Sequence, residues 1–368
     1  MRSQITRRLA PLAAVAALTA FSSLPATAQS VRAPTNEAVL AVLNRLSIEL
    51  PAILINNEPV KTPLEALARE PCDQKAIQDF GDALEKVSHR REAATAHISF
   101  SATCQGHYAP SLRSAVNILL TLSDYKRAEF VASDLIALEP FNDNGYYLRG
   151  LARDRAGELR PAIDDYVTAL ELFGNKERIS SVAYLAMARA YEKLGQFCDA
   201  VLPIQSWVAI NPARNDTSQT RAIIADYTAK GRCQAAASGE EVFRVTRPHN
   251  VVKLQVSING VTGNMVLDTG ATFVSLTASF AQKAKVQIDQ DSRLRIHTAN
   301  GIADGKQGRA ATIQLRSLSA KDVPIVVQAD DKAAYGDGVD GLLGMSFLSH
   351  FKVSIDTQAI RISGQKAK

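Results

Sequence analysis

The sequence predicts a multidomain protein, with an all-α solenoid at residues 36–237 followed by an all-β domain at residues 242–364. Three observations predict this fold class. In the first range, alanine and leucine recur at three- and four-residue spacing without β-branched alternation, which is typical of helices. In the second range, apolar and polar residues alternate, as in half-buried strands. The length of 368 residues suits two domains.

Residues 1–28 have the pattern of a secretory signal peptide. An arginine-containing start precedes an uncharged, mostly apolar stretch at Leu9–Phe21, and a small-x-small cleavage pattern stands at residues 26–28. The alternative is an uncleaved membrane anchor, but a span needs about 20 apolar residues. We therefore expect cleavage after Ala28, secretion across the inner membrane, and a periplasmic location if the source is Gram-negative.

Removal of this segment would take three arginines from the chain and lower the net charge from +5 to +2. The remaining lysines and arginines are scattered, and no run of them exceeds two. A nucleic-acid partner would require a concentrated basic face. We therefore expect no nucleic-acid partner.

Four cysteines follow the signal segment: Cys72, Cys104, Cys198 and Cys233. An even number of cysteines in an exported chain indicates disulfides, for which three pairings are possible. The spacings favour Cys72–Cys104 and Cys198–Cys233, because each pair would bracket one helical hairpin. Four buried free thiols are the alternative. A zinc site is not expected, since the chain has no Cys-x-x-Cys.

The helical range contains a repeat. Its anchors are four alanines separated by 35, 34 and 38 residues, namely Ala93, Ala128, Ala162 and Ala200. A small or apolar residue stands twelve positions before each anchor, at Gly81, Val116, Gly150 and Ala188. The residues four positions after the anchors are His97, Ala132, Tyr166 and Ile204. Glycines five positions before the last two anchors, Gly157 and Gly195, mark turns between helices.

This pattern resembles the tetratricopeptide repeat, best in the units of Ala162 and Ala200. Small residues would let paired helices approach closely, and each pair would cover an apolar face of the next. The segment Thr217–Lys230 would cap the stack. Such a stack has a concave groove suited to peptides or partner proteins. The alternative is an irregular solenoid that only spaces or dimerises the other domain.

A small-residue stretch ends the helical range, and we expect a linker at residues 238–241. Val252–Ile258 then alternates apolar and polar residues, and Asn259-Gly260 is a strong hairpin signal. The further predicted strands are Met265–Leu267, Arg293–Thr298, Thr312–Leu315, Val323–Gln328, Phe351–Ile355 and Ala359–Ile362. Short strands at this density indicate a small barrel or sandwich. One helix is expected at Thr277–Ala284, and a second at the segment that Gly344 opens.

The residues that carry chemistry are found at one strand end. Asp268 ends the apolar run Met265–Leu267 and enters a glycine turn, and an acid in that position is unusual unless it is used. Asp-Thr-Gly alone is a common turn string. The preceding hairpin and a downstream segment, Asp340–Leu348, set this instance apart, because two leucines there run into a glycine.

The range 242–364 resembles the retropepsin-like aspartic proteases in their bacterial exported form. The residues that carry the resemblance, in the family's order, are Leu267, Asp268, Thr269, Gly270 and Ala271, followed by Leu342, Leu343 and Gly344. The resemblance implies an acid-protease barrel whose substrate is a polypeptide. It implies no metal or organic cofactor, because water is the nucleophile.

The family's residue roles are carried over position by position. Asp268 would be the catalytic carboxylate, Thr269 would hold two facing loops together, and Gly270 and Ala271 would complete the turn. The residues that would pack beneath this loop are Leu342, Leu343 and Gly344. The family also closes a hairpin over the substrate, and the candidate flap is 297–308, with bends at Asn300, Gly301 and Gly305.

A second Asp-Thr-Gly is absent, since Asp356-Thr357 is followed by Gln358. Two such carboxylates share a proton, so the resemblance implies a homodimer that contributes one Asp268 from each copy. A carboxylate pair predicts an acidic to near-neutral pH optimum. The alternative function is a non-catalytic scaffold whose repeats bind a protein and whose β domain only dimerises. No His-Glu-x-x-His or Gly-x-Ser-x-Gly motif supports another protease class.

Overall fold

The computed structural model describes residues 36–104, 108–175, 178–233, 239–244, 252–298, 301–329, 335–355 and 359–364. The expected signal peptide, Asn300 of the candidate flap, and Asp356 lie outside the described residues.

The N-terminal half is helical, as predicted. In its described residues the helices are α1 (Asn36–Arg45), α2 (Ala52–Ile55), α3 (Glu58–Arg69), α4 (Gln74–Lys86), α5 (Arg90–Thr103), α6 (Ala109–Thr121), α7 (Tyr125–Leu138), α8 (Asp143–Ala156), α9 (Leu159–Leu172), α10 (Val182–Lys193), α11 (Phe197–Ile210), α12 (Pro212–Asn215) and α13 (Ser218–Gly231). Local chemistry sets several ends. The Asp73 carboxylate accepts two backbone N–H groups at the start of α4, and Thr217 forms a capping box at the start of α13. Gly157, with a φ of 87°, ends α8 in the left-handed conformation.

Consecutive helices form the pairs that the alanine repeat predicts, α4–α5, α6–α7, α8–α9 and α10–α11. Within a pair, the small residue twelve positions before the anchor faces the residue four positions after it. A Cβ on Gly150 would lie 2.8 Å from the ring of Tyr166, and one on Gly81 would lie 2.2 Å from the ring of His97. Both side chains are almost completely buried. The repeat spacing therefore reflects close helix packing, and α13 packs on α11 as the predicted cap.

The two predicted disulfides are present. Cys72–Cys104 joins the residues that flank α4 and α5, and Cys198–Cys233 ties α11 to the chain beyond α13. Each closes a loop of more than 30 residues, which stabilises a fold by roughly 3 kcal/mol through chain entropy.

The C-terminal half is rich in strands. They are β1 (Glu240–Arg244), β2 (Lys253–Ile258), β3 (Val261–Leu267), β4 (Val274–Leu276), β5 (Gln287–Ile288), β6 (Leu294–Thr298), β7 (Gly301–Leu315), β8 (Leu318–Gln328), β9 (Gly341–Leu343), β10 (Phe351–Ile355) and β11 (Ala359–Gly364). Among the strands, the described residues form two short helices, α14 (Ala278–Lys283) and α15 (Met345–Leu348). Asn259 and Gly260 form the predicted hairpin turn between β2 and β3, both with positive φ.

The larger sheet has the strand order β2-β3-β9-β4-β8-β7-β5. β6 pairs with β7, and β2 also pairs with β7. β9 is inserted between β3, to which it is parallel, and β4, to which it is antiparallel. A separate sheet has the order β1-β11-β10. β1 begins at Glu240, so the last residues of the expected linker, 240 and 241, form a strand.

The hydrophobic core does not divide where the helices end. One buried cluster joins side chains of α9, α10 and α11 to those of the β-rich half, while a second cluster spans Val39 to Ala152. α15 packs on α11, and β6 packs on α9. The last repeats and the β-rich domain are therefore built around one core. In the described residues, no helix is long and apolar enough to cross a membrane.

Candidate active site

Asp268 follows the last residue of β3 and is half-buried. Its carboxylate oxygen Oδ1 accepts a hydrogen bond of 2.8 Å from the backbone N–H of Gly270. Its own backbone N–H donates to the carbonyl of Leu343, at 3.1 Å. The turn is completed by the N–H of Ala271, which points at the carbonyl of Asp268 from 3.4 Å. The carboxylate is thus held by the turn that its own sequence motif forms.

The strand β9 lies directly beneath this turn. Leu267 of β3 is in register with Leu343 of β9, and Val266 is in register with Leu342. Leu343 is fully buried, while Leu342 is only half-buried. The structure therefore places Leu342 and Leu343 on the strand beside the Asp268 turn.

Gly344 allows the chain to pass under the turn. A Cβ at this position would lie 2.2 Å from the carbonyl oxygen of Phe273 and 2.8 Å from that of Ala271. No side chain can be accommodated at such distances without a backbone shift. Gly344 also begins α15, as expected, and its role is close approach, because its φ of −95° is open to any residue.

Ser346 is a supporting residue that the sequence reasoning missed. Its Oγ accepts the backbone N–H of Val274 at 2.8 Å, and its own N–H donates to the carbonyl of Thr272 at 3.0 Å. The N–H of Met345 likewise donates to Ala271. These bonds tie α15 to the chain just after the Asp268 turn. The signal available in the sequence was a single serine within the apolar run Met345–Leu348, and the structure shows that this serine is buried.

Asp340 is a second residue that the sequence reasoning did not assign. Its Oδ2 accepts the backbone N–H of Asn264 at 2.8 Å, and its backbone N–H donates to the carbonyl of Asn264 at 2.8 Å. Its carbonyl accepts the N–H of Thr277. Asp340 therefore joins the start of β9 to both β3 and the chain after β4.

The candidate flap is a hairpin formed by β6 and the first part of β7. Thr298 is in register with Gly301, and Leu294 is in register with Gly305. Gly301 has a φ of 115°, which suits a bend. The expectation of a bend at Gly305 is wrong: Gly305 lies inside β7, buried between Leu294 and Val326, where a larger residue would crowd both.

The described residues contain no cluster of three or more His, Cys, Asp or Glu side chains that could hold a metal ion. The carboxylate that the sequence motif places in this site is that of Asp268, at the end of β3.

Residues 254–350 match the family model described as gag-polyprotein putative aspartyl protease. This range contains β3, the Asp268 turn, the flap hairpin, β9 and α15. The match bears out the predicted resemblance of the β-rich domain to aspartic proteases. No curated protein matches the chain.

Solved structures resemble each half separately. A retropepsin-like aspartic protease from Rickettsia conorii is 25% identical, with a TM-score of 0.27, over 33% of this chain and 98% of its own. The EIAV protease is 20% identical, with a TM-score of 0.21, over 27% of this chain and 88% of its own. A thermophilic TPR protein from Thermus thermophilus is 18% identical, with a TM-score of 0.35, over 46% of this chain and 89% of its own.

Proposed function

We propose that the protein is an aspartic endopeptidase that acts as a homodimer, with Asp268 of each copy forming the catalytic pair. The observation that carries the proposal is the placement of Asp268 at the end of β3, in a glycine turn. Leu343 and Gly344 pack directly against this turn. The family match over residues 254–350 supports the same reaction class. The substrate is a polypeptide, and the reaction needs no cofactor.

The mechanism follows from two carboxylates that share one proton. Like charges about 3 Å apart cannot both ionise, so one Asp268 is a carboxylate and the other a carboxylic acid. The carboxylate takes a proton from a water molecule as the water oxygen bonds to the peptide carbonyl carbon. The carboxylic acid gives its proton to the carbonyl oxygen. A tetrahedral diol results.

Collapse of the diol completes the reaction. The first Asp268, now protonated, gives its proton to the amide nitrogen as the carbon–nitrogen bond breaks. The second Asp268 recovers a proton from a hydroxyl of the diol, and a carboxylic acid product forms. The pair then holds one proton again, so turnover needs no other reagent.

The surrounding residues keep the pair rigid. The Gly270 N–H holds one carboxylate oxygen of Asp268, and Thr269, next in the turn, would contact the same turn of the second copy. Leu342 and Leu343 would exclude water from below. A preformed site of this kind avoids reorganisation during the reaction.

We propose that the protein works outside the cytoplasm, and in the periplasm if the source is Gram-negative. The two disulfides support this location, because such bonds persist in oxidising compartments. The paired helices support a second role, the recognition of a protein partner or of the substrate.

A peptide-library digestion analysed by mass spectrometry from pH 4 to 8 tests the activity. Wild type is compared with Asp268→Asn and with Asp226→Asn, a control on the exposed side of α13. Cleavage by wild type and by the control, but not by Asp268→Asn, is the expected result. Cleavage that survives in Asp268→Asn would refute the assignment.

Sedimentation velocity on the same samples tests the assembly. A dimer that cleaves peptides is expected. If the wild-type protein is a dimer but cleaves no peptide, the non-catalytic scaffold is favoured. If the wild-type protein cleaves peptides as a monomer, the catalytic pair shared between two copies is refuted.

A further inference from the structure

The flap hairpin rests along α9 of the helical half. β6 pairs with β7 on one side, and its other side faces α9. An isolated two-stranded hairpin is marginally stable in water. The contacts with α9 therefore contribute to the stability and the position of the hairpin.

Asp164 of α9 is 6% exposed and binds the base of the hairpin through three donors. Its Oδ2 accepts the backbone N–H of Arg293, the residue before β6, at 2.8 Å. Its Oδ1 accepts the hydroxyl of Ser292 at 2.9 Å and the side-chain amide of Gln307 in β7 at 2.7 Å. One buried carboxylate thus joins both arms of the hairpin.

Thr168, one helical turn further along α9, is 1% exposed. Its Oγ1 accepts the backbone N–H of Arg295 at 3.0 Å. Further along, Ile302 of β7 packs against a buried cluster that contains Ala169 and Leu172, near the end of α9, and Tyr146 of α8. The contact between hairpin and helix therefore continues from the base toward the tip.

The spacing of these contacts explains why a helix can hold the edge of a strand. Residues four apart on a helix are separated by about 6 Å along its axis. Residues two apart on a strand are separated by about 6.6 Å, and their N–H groups point to the same side. The spacing of Asp164 and Thr168 is therefore close to the spacing of Arg293 and Arg295. The two side chains accept hydrogen bonds from N–H groups at the strand edge, where the carbonyls of a neighbouring strand would otherwise accept them.

We propose that Asp164 and Thr168 are positioning residues for the flap, so that α9 of the repeat half sets where the hairpin of the protease half lies. The inference rests on the proposed function, because it treats the hairpin as the element that closes on a polypeptide substrate. The helical repeats are then part of the machinery that binds the substrate. A change in the last repeats would be transmitted to the flap through α9.

The test combines hydrogen exchange with kinetics. Asp164→Asn places an amide donor against the existing donors, and Thr168→Val removes the acceptor while keeping the shape. The matched control is Asp165→Asn, because Asp165 is the next residue of α9, is 1% exposed, and forms its ion pairs with arginines of α8. Thr168→Ser keeps the hydroxyl and is the rescue variant.

We expect Asp164→Asn and Thr168→Val to speed amide exchange in residues 294–298 and 301–306 by about tenfold, with the exchange of β2 and β3 unchanged. Asp165→Asn and Thr168→Ser should leave the hairpin at the wild-type rate. For a cleaved peptide, we expect KM to rise about fivefold in the first two variants, with kcat changed less than about twofold.

Hairpin exchange at the wild-type rate in both Asp164→Asn and Thr168→Val would overturn the inference. So would equally faster exchange in Asp165→Asn, since that result would mean general loosening of α9. The exchange measurement needs no substrate. If wild type cleaves no peptide, the proposed function fails, and the exchange rates alone decide the role of α9.

Discussion

The carboxylate of Asp340 accepts a hydrogen bond of 2.8 Å from the backbone N–H of Asn264, 76 residues earlier in the chain. Because the N–H of Asp340 also donates to the carbonyl of Asn264, the two residues are bound twice. This contact aligns β9 with β3 and so sets the register that places Leu343 under Asp268.

Removal of the Asp340 carboxylate is predicted to loosen the site from a distance. Asp340→Ala leaves the Asn264 N–H without its acceptor, which lowers the free energy of unfolding by about 1–2 kcal/mol. Urea denaturation measures this loss. Asp337→Ala, at an exposed position of the same segment, is the control and should stay within about 0.5 kcal/mol of wild type. Equal stabilities of the two variants would contradict the prediction.

Gly344→Ala is predicted to destabilise the protein by about 1–3 kcal/mol, because the new Cβ would lie 2.2 Å from the carbonyl oxygen of Phe273. Since Asp268 depends on the adjacent Leu343 carbonyl, peptide cleavage should also fall. Gly174→Ala is the matched control, because no heavy atom beyond its two chain neighbours lies within 4 Å of its Cβ position. Thermal unfolding compares the two. A Gly344→Ala protein as stable as the control would show that β9 can shift freely.

Arg309 of β7 forms an ion pair with Asp199 of α11, across the two halves. Burial raises the pKa of the Asp199 carboxyl, while the charge of Arg309 lowers it. Arg309→Ala would leave a buried carboxylate unpaired, and we expect a loss of about 2–4 kcal/mol. The double variant Arg309→Met with Asp199→Leu should recover most of it, as a double-mutant cycle measures.

The control for this pair is Arg316→Ala. Arg316 contacts Glu241 but is 60% exposed, so its loss should change stability by less than about 1 kcal/mol. If Arg316→Ala and Arg309→Ala lose the same free energy of unfolding, the Arg309–Asp199 ion pair stabilises the protein no more than an exposed pair does.

Because His97 is buried, we expect the stability of the helical half to decrease at acidic pH. Burial against Gly81 lowers the pKa of His97 to about 4, whereas a free histidine titrates near 6.5. Between these values the unfolded chain binds the proton and the folded chain does not. The free energy of unfolding therefore falls as pH falls from about 6.5 to 4, by up to about 3 kcal/mol from this group.

The comparison of wild type with His97→Gln isolates this contribution, because other groups add slopes of their own. Burial also lowers the pKa of His350, which adds to the loss of stability at low pH. Burial raises the pKa of Asp164 and Asp199, and these carboxyls therefore favour the folded state as the pH falls. Urea denaturation at about pH 7 and about pH 4.5 should show a smaller pH effect in His97→Gln.

The sequence alone determined the features that depend on local spacing. The alanine anchors predicted the helix pairs, because close packing of Gly150 on Tyr166 requires a small residue sixteen positions before the ring. The cysteine spacing predicted both disulfides. The Asn259-Gly260 turn and the turn after Asp268 followed from their own residues, since such turns depend on φ and on short side-chain contacts.

Only the tertiary structure decided which strands are neighbours. Apolar alternation shows which face of a strand is buried, but it does not say which strand lies beside it. β9 has three residues, too few to show alternation, yet it lies between β3 and β4 and supports Asp268. The sequence predicts a bend at Gly305, but in the structure this glycine lies inside β7 and packs closely against Leu294 and Val326.

The docking of β6 on α9 likewise could not be predicted. Asp164 and Thr168 resemble ordinary polar positions of a helix, and their partners Arg293 and Arg295 lie 129 and 127 residues away in the chain. A local pattern specifies the shape of an element. The distant groups that satisfy its buried donors and acceptors are chosen only when the whole chain folds.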